Sequence, residues 1–154
     1  MKKQSKPKSH LSYFKNENPV GWLLAKVAAK YEKEFFQKLT QEKQFSSITT
    51  SDHRILRFIT SNIVNSNDIA RQSGVSKQAI SKSISSLEKR GYIIRNESKE
   101  DGRSQILSLS EKANKLIVKA VQVAKELENA TVKQLGTKDL NALKELLIKT
   151  LQEP

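Results

Sequence analysis

Six polar side chains recur at helical spacing in the stretch SKQAISKSISSLEKRG, which begins at Ser76. At about 100° per residue they share an arc of roughly 140°, away from the apolar Ile80, Ile84 and Leu87. The six are Lys77, Gln78, Ser81, Lys82, Ser85 and Lys89. Their hydroxyl, amide and ammonium groups can bind base edges and phosphates, and a helix of small side chains fits the major groove of duplex DNA. Any solvent-facing helix of a lysine-rich protein has similar charges, so the pattern alone leaves both interpretations open.

The overall charge favours a polyanionic partner. Among 154 residues, 28 are Lys or Arg and 16 are Asp or Glu, which gives a formal net charge of +12 and a pI of about 9.9. Such a protein attracts nucleic acid or an anionic membrane surface. No apolar run approaches the roughly 20 residues that cross a bilayer, and the start MKKQSKPKSH lacks the apolar segment of a secretory signal. The sequence therefore predicts a cytoplasmic protein.

The residue types of most enzyme chemistry are missing. The sequence has no Cys, two His and no G-x-S-x-G motif, so no nucleophile with its base and no metal-ligand cluster is recognisable. His10 lies in the basic N-terminal segment, and we interpret His53 as a surface or helix-start residue. We expect no enzymatic activity, no cofactor and no metal site. The zero Cys count also excludes a switch based on thiol oxidation.

Five Gly and three Pro leave few interruptions, which favours long helices around one core. Residues 1–18 have a net charge of +4 and predict a mobile tail, either an arm that adds phosphate contacts or a solubilising end. Residues 19–154 are predicted to form a single domain. Its first helix should begin at Pro19 and run to about Thr40, since apolar residues recur at spacings of three and four. These are Val20, Leu23, Leu24, Val27, Tyr31, Phe35 and Leu39.

Three further helices are predicted before the first strand. Residues 49–52 are a start signal for the second helix, and the loop after it ends in the cap-forming Ser66 and Asn67. Gly74 should end the short third helix, and Ser76 should cap the fourth. Two helices joined by this tight turn predict a helix-turn-helix.

A hairpin and two long helices complete the predicted fold. Strands are expected at 92–96 and 104–109, joined by the turn-forming Asp101–Gly102. Ser110 should cap a helix of about 20 residues, and Thr137 should cap the last one. The first of these helices has two adjacent apolar stripes, Ala113, Leu116, Ala120, Val123, Leu127 and Ala130 beside Ile117, Val121 and Ala124. The last helix has the stripe Leu140, Leu143, Leu147 and Leu151.

The order of the elements favours a nucleic-acid function. The predicted order is that of a winged helix-turn-helix: a short helix, a glycine turn, a helix with a serine- and lysine-rich face, and a hairpin that contains an arginine. In such folds one helix enters the major groove, and the hairpin crosses to the minor groove. Between residues 71 and 104, eight basic and four acidic residues give a local charge of +4. The predicted fold class is mainly α, with a winged lobe, a two-stranded wing and long terminal helices.

Residues 66–110, SNDIARQSGVSKQAISKSISSLEKRGYIIRNESKEDGRSQILSLS, resemble the DNA-binding lobe of the MarR family of bacterial transcription regulators. IARQSGVSKQAISKSISSLEKRGYI is similar to the paired helices of that family, and DGRSQILSLS to its Asp-x-Arg wing, strand and helix cap. The flanking helices are similar in order and length, so the resemblance covers nearly all of residues 19–154. It implies a homodimeric DNA-binding regulator, a repressor, with residues 49–110 as the winged lobe and 19–45 and 111–154 as dimerisation helices.

The resemblance also implies roles for individual residues. Arg103 matches the wing arginine that enters the minor groove, and Asp101 matches the aspartate that helps fix the wing. Because an arginine there reads groove shape more than base identity, Arg103 should affect affinity more than sequence choice. The full set of implied DNA-binding residues is Ser76, Lys77, Gln78, Ser81, Lys82, Ser85, Lys99, Asp101 and Arg103.

Dimer symmetry would place two recognition helices about one DNA turn apart and would require a pseudo-palindromic operator with half-sites roughly 10 base pairs apart. Packing within one chain is the alternative use of the terminal helices.

By the same resemblance, a small aromatic or phenolic effector would bind between the two lobes and release the DNA. Trp22, Tyr31, Phe35 and Phe36 are candidates to border such a cleft, although aromatic residues at helical spacing are also typical of a core.

Two other functions remain open at this point. A nonspecific architectural nucleic-acid-binding protein would use the same basic surfaces on phosphates without base readout, with steep salt dependence and little sequence preference. A winged-helix protein-interaction module would have lost DNA binding. Arg103 and the basic helix face argue against that module.

Overall fold

A computed structural model describes residues 19–97 and 105–152 of the chain. In this part, six α-helices and one two-stranded antiparallel sheet form the predicted winged architecture. The helices are α1 Val20–Leu39, α2 Thr50–Thr60, α3 Ser66–Ser73, α4 Lys77–Lys89, α5 Glu111–Leu135 and α6 Thr137–Leu151, and the strands are β1 Ile93–Glu97 and β2 Gln105–Leu109. The predicted mobile tail, residues 1–18, lies outside the described residues.

The first helix begins one residue later than predicted. Pro19 lies just outside it with ψ at 140°, and its carbonyl accepts the first backbone hydrogen bonds of the helix. After Leu39 comes the predicted polar loop, which contains a 3₁₀ turn at Lys43–Phe45 that was not predicted. Phe45 is buried in the core. An aromatic ring therefore anchors a segment whose polar neighbours indicated only a solvated loop.

Side-chain caps fix the starts of α2 and α5 where the sequence predicts them. Thr49 accepts a hydrogen bond from the Asp52 N–H, and the Asp52 carboxylate accepts one from the Thr49 N–H at 2.9 Å, which completes a capping box. Ser110 accepts a hydrogen bond from the Ala113 N–H at 3.1 Å. These bonds satisfy N–H groups that have no partner within the helix.

The predicted caps of α3 and α6 are wrong by one or two positions. Asn65 caps α3, because its backbone is extended and its side chain accepts from the Asn67 N–H at 2.8 Å. Ser66 and Asn67 are already helical. Gly136, with φ at 81°, precedes α6, and Thr137 is the first helical residue without a side-chain cap bond. A positive φ favours glycine, so Gly136 provides the bend between the two long helices.

The predicted hairpin is present. β1 begins at Ile93, one residue later than predicted, whereas Ser104, the predicted first residue of β2, lies outside the described residues. β1 pairs antiparallel with β2, with Ile93 opposite Leu109 and Glu97 opposite Gln105. Ile93 and Leu107 are buried, so one face of the hairpin packs on the core. The predicted turn between the strands lies outside the described residues.

The longest helix, α5, joins the winged lobe to the other long helices. It buries one of its two predicted stripes, except that Ala130 is exposed. It continues to Leu135, beyond the predicted length of about 20 residues, because neither Gly nor Pro interrupts the chain before Gly136. The buried stripe is Ala113, Leu116, Ala120, Val123 and Leu127.

Much of the predicted apolar surface of the terminal helices is exposed in a single chain. Leu39 is the one residue of the α1 stripe that is fully buried, and Val20 is 74% exposed. In the described part of α6, Leu140 alone is buried, whereas Leu151 is 83% exposed. Large apolar side chains grouped on exposed helix faces mark an interaction surface. None of the described helices is long and apolar enough to cross a bilayer.

Candidate nucleic-acid interface

The turn between α3 and α4 has the geometry of a helix-turn-helix. Gly74 ends α3 as predicted, with φ at 67° and ψ at 14°, a left-handed conformation that glycine adopts without a Cβ clash. Ser76 caps α4 as predicted and accepts a hydrogen bond from the Ala79 N–H at 3.3 Å. Ile80 and Leu87 bury one side of α4 in the core. The opposite side of the helix therefore faces solvent.

All six residues predicted to share the polar face of α4 are exposed. Lys77, Lys82 and Lys89 form no ion pair with another described residue. Ser85 differs from the other five, because its hydroxyl accepts a hydrogen bond of 2.9 Å from Arg95 Nη2. The N-terminal two turns of α4 thus present lysine, amide and hydroxyl groups at the surface.

Arginines that contribute to the predicted local charge of +4 have acidic partners. Three described arginines between residues 71 and 104 form ion pairs, so among the described residues of this segment the basic side chains without an acidic partner are lysines. Charge counting in the sequence treats all basic residues alike and misses this difference. The pairs are Arg71–Asp68 at 2.8 Å, Arg90–Asp52 at 2.7 Å and Arg95–Glu88 at 2.8 Å.

The residues predicted at the tip of the wing lie outside the described residues, namely Lys99, Asp101 and Arg103. The strands that lead to them are described, and β1 lies beside α4. The roles that the family resemblance implies for these three residues therefore stay predictions.

A largely buried ion pair connects α2 with the C-terminal end of α4. Asp52 is 4% exposed and accepts a 2.7 Å hydrogen bond from Arg90 Nη2, while Arg90 Nη1 donates to the Ser47 carbonyl at 3.0 Å. The sequence indicates Asp52 as part of a helix start, but no local signal joins it to a residue 38 positions away. The pair fixes the end of α4 relative to the start of α2.

A cleft of about 790 Å³ lies between the winged lobe and the long helices. Three of the four aromatic residues predicted to border such a cleft line it, namely Tyr31, Phe35 and Phe36. Trp22 is not among the lining residues, because it lies near the start of α1, two turns and more before the others. The cleft also has polar and charged walls, which include Arg57.

His53 is half-buried in this cleft against two aromatic rings. Its ring centroid lies 5.0 Å from that of Phe35 and 5.8 Å from that of Phe36. Burial lowers the pKa of His53, and the positive charge of Arg57 lowers it further. His53 lies in the first turn of α2, as the helix-start interpretation predicts, and it is only partly exposed because Phe35 and Phe36 of α1 pack against it. The spacing of aromatic residues in α1 gave no indication of a histidine partner.

This lowered pKa predicts that acid destabilises the folded state through His53. Between the folded-state pKa and the ordinary value of 6.5, the unfolded chain binds more protons, so stability falls as the pH decreases through that window. Urea unfolding of the wild type and of His53→Gln at about pH 7.5 and about pH 5.5 measures this. The wild type should lose more stability on acidification than the variant. Equal losses would show that His53 does not contribute.

Comparisons with known proteins agree with this architecture. Residues 46–104 match the model of the MarR family. A comparison with curated protein sequences gives no match. Among solved structures, the S. aureus MepR–DNA complex aligns with a TM-score of 0.68 and 24% identity, over 88% of this chain and 96% of that one. A mutant of MarR from E. coli aligns with a TM-score of 0.69 and 20% identity, over 87% of this chain and 97% of that one.

A third structure, the transcriptional repressor CouR bound to a 23-mer DNA duplex, aligns with a TM-score of 0.70 and 22% identity, over 88% of this chain and 94% of that one. At these identities the alignments establish the fold. The chain has the winged-helix fold of the MarR family of transcriptional regulators, and its residues 46–104 have the sequence pattern of that family.

Proposed function

We propose that the protein is a sequence-specific transcriptional regulator that binds double-stranded DNA as a homodimer and represses a promoter. The exposed polar face of α4 supports this proposal most directly, since it presents Lys77, Gln78, Ser81 and Lys82 on a helix held by the Gly74 turn. The match of residues 46–104 to the MarR family supports the regulatory role. MepR and CouR, which share the fold, have been solved on DNA.

The proposed contact places α4 in the major groove. Gln78 and Ser81 lie about one turn apart on its exposed face, where an amide and a hydroxyl can donate to and accept from base edges. Lys77, Lys82 and Lys89 would neutralise phosphates and release counterions. In the same proposal the wing reaches the adjacent minor groove through Arg103, with Lys99 on the backbone and Asp101 fixing the wing.

The proposed dimer would use the exposed apolar faces of α1, α5 and α6. Val27 on α1, Val121 on α5 and Leu146 on α6 are each about half exposed or more in the single chain. Burying such faces against a second copy would remove apolar area from water. A two-fold axis would place the two α4 helices about one DNA turn apart, so that the operator is a pseudo-palindrome and its occupation blocks transcription.

Selection from a random-sequence duplex library tests this function. The purified full chain is incubated with the library at near-physiological salt, and the bound duplexes are amplified over several rounds. We expect enrichment of a pseudo-palindrome with half-sites roughly 10 base pairs apart. Retention without enrichment would instead support nonspecific architectural binding, and no retention would exclude DNA as the partner.

Gln78→Ala should relax base preference at particular operator positions by about 1–3 kcal/mol, because a bidentate amide contact distinguishes one base from the others. Affinities for the enriched duplex and its single-base variants measure this. Lys89→Ala is the matched control on the same face. It should weaken binding to all of these duplexes alike and lower the salt slope by about two, one for each protomer of the dimer. If Gln78→Ala also weakens all duplexes equally, α4 only anchors the protein to DNA.

We further propose that a small aromatic or phenolic effector binds the cleft and releases DNA. The cleft volume of about 790 Å³ suits a small molecule, and the rings of Tyr31, Phe35 and His53 offer stacking surfaces. Arg57 would attract the carboxylate or phenolate of such a compound, whereas Lys144 on the cleft wall is paired with Glu128. Titration of benzoates and phenols into the complex with the enriched duplex tests this, and persistence of the complex with every compound would count against it.

A further inference from the structure

Arg95 lies at the base of the wing, next to α4. On β1 it is opposite Leu107 of β2, and its side chain is 27% exposed. Residues two apart on a strand share a face, so Arg95 is on the same face as the buried Ile93. Its guanidinium therefore lies between the hairpin and α4, whereas Ile94 is exposed on the outer face.

The guanidinium of Arg95 joins both strands of the wing to α4. Nε donates to Glu88 Oε2 at 2.8 Å and Nη2 donates to Ser85 Oγ at 2.9 Å, so two residues one turn apart on α4 are held together. Nη1 donates to Gln105 Oε1 at 2.9 Å, on the first residue of β2. The planar guanidinium has N–H donors on three separate nitrogens and can satisfy these three acceptors. A lysine has all of its donors on one nitrogen and cannot replace this arrangement.

This geometry also explains an acidic residue close to the proposed DNA surface. Glu88 lies directly before Lys89 near the end of α4, where a carboxylate near phosphates is unfavourable. Its ion pair with Arg95 neutralises the charge of the carboxylate, and the same pair holds the Arg95 side chain against α4. Arg95 thus differs from Lys82 and Lys89, which form no ion pair with described residues.

We propose that Arg95 is a positioning residue that fixes the wing against α4, so that the wing and the recognition helix contact one DNA duplex at the same time. The inference rests on the proposed DNA-binding function. It assigns α4 and β2, rather than a phosphate, as the partners of this arginine. Loss of the guanidinium hydrogen bonds would leave the lysines of α4 in place, but the orientation of the wing relative to α4 would no longer be fixed.

Three variants of the full chain separate positioning from phosphate binding, with the enriched duplex as the probe. Arg95→Lys keeps the positive charge but removes the planar guanidinium, and Arg95→Met removes both the charge and the guanidinium. Glu88→Ala removes one hydrogen-bond acceptor together with a negative charge. We expect both Arg95 variants to weaken binding by a similar factor, roughly tenfold, with an unchanged salt slope. Glu88→Ala should weaken binding as well, although loss of a negative charge near DNA would by itself strengthen it.

A second readout uses a shortened duplex that lacks the base pairs flanking the two half-sites. The wild type should lose affinity on shortening, because its wing loses contacts. The Arg95 variants should lose less affinity on shortening, since a wing that is not held against α4 contributes little binding to the flanking base pairs. A general loss of folded protein would lower binding to both duplexes by the same factor, so the ratio of the two affinities reports positioning alone.

Arg71→Lys is the matched control, because Arg71 pairs with Asp68 within α3 at 2.8 Å and should tolerate the exchange. The inference is overturned if Arg95→Lys binds like the wild type while Arg95→Met lowers the salt slope by about two, which is the pattern of one phosphate contact in each protomer. Tighter binding by Glu88→Ala would overturn it too. Failure of the wild type to bind any duplex is a separate result, which removes the proposed function and this inference with it.

Discussion

Asp52→Ala is expected to lower the free energy of unfolding by about 3–5 kcal/mol, because it leaves the charge of Arg90 without its partner in a largely buried position. The two carboxylate oxygens have different partners. Oδ1 accepts from Arg90 at 2.7 Å, and Oδ2 accepts from the N–H and hydroxyl of Thr49 at 2.9 Å and 2.8 Å. The substitution therefore removes an ion pair and a helix cap together. Folded domains are commonly stable by about 5–15 kcal/mol, so this loss would be a substantial fraction of the total.

Urea unfolding at a fixed protein concentration measures this loss, since the stability of a dimer depends on concentration. Ser51→Ala is the matched control, because Ser51 is the exposed neighbour of Asp52 on α2. In the double variant Asp52→Ala/Arg90→Met, part of the stability should return, because no unpaired charge is left. A loss below about 1 kcal/mol for Asp52→Ala would mean that the pair behaves like a surface ion pair.

Leu24→Glu is expected to convert the proposed dimer into monomers and to weaken binding to the enriched duplex by about 100-fold or more. Leu24 and Val27 lie three residues apart on α1 and are 43% and 53% exposed in the single chain. A carboxylate placed in this face would lose its hydration in a dimer without gaining a partner. Two linked half-site contacts commonly exceed one contact by about 10²–10⁴ in affinity, and a monomer loses that gain.

Sedimentation equilibrium and DNA titration of the same samples test this expectation. Gln37→Glu is the matched control, since it introduces the same charge at an exposed position of the same helix. The control should remain dimeric and bind the duplex like the wild type. A Leu24→Glu protein that is still dimeric would place the dimer contact away from this face of α1.

The winged lobe could be predicted from the sequence because its signals are local. Gly74 and Ser76 act through backbone conformation and a hydrogen bond within three residues, and the spacing of Ile80, Ile84 and Leu87 identifies the buried side of α4. Such signals do not depend on what the rest of the chain does. Their errors are correspondingly small, as where Asn65 rather than Ser66 caps α3.

Contacts between distant segments could not be predicted in the same way. Asp52 and Arg90 are 38 residues apart, and each has an adequate local interpretation as a helix cap or a surface cation. The hydrogen bonds from Arg95 to Ser85 and Gln105 likewise depend on how the hairpin packs against α4. Periodicity predicts that a face is apolar, but it does not say whether the same chain or another one covers it.

The length of α5 has a mechanical consequence. With 25 residues it is about 37 Å long, and its first turn is fastened to the end of α4, because Ser110 Oγ donates to the Gly91 carbonyl at 2.6 Å and Lys112 Nζ to the Arg90 carbonyl at 2.9 Å. At this length, a rotation of about 5° around its far end moves the near end, and α4 with it, by about 3 Å. This displacement is close to the spacing of about 3.4 Å between stacked base pairs. In the proposed complex with DNA, a small rotation of this helix would therefore shift α4 by about one base pair.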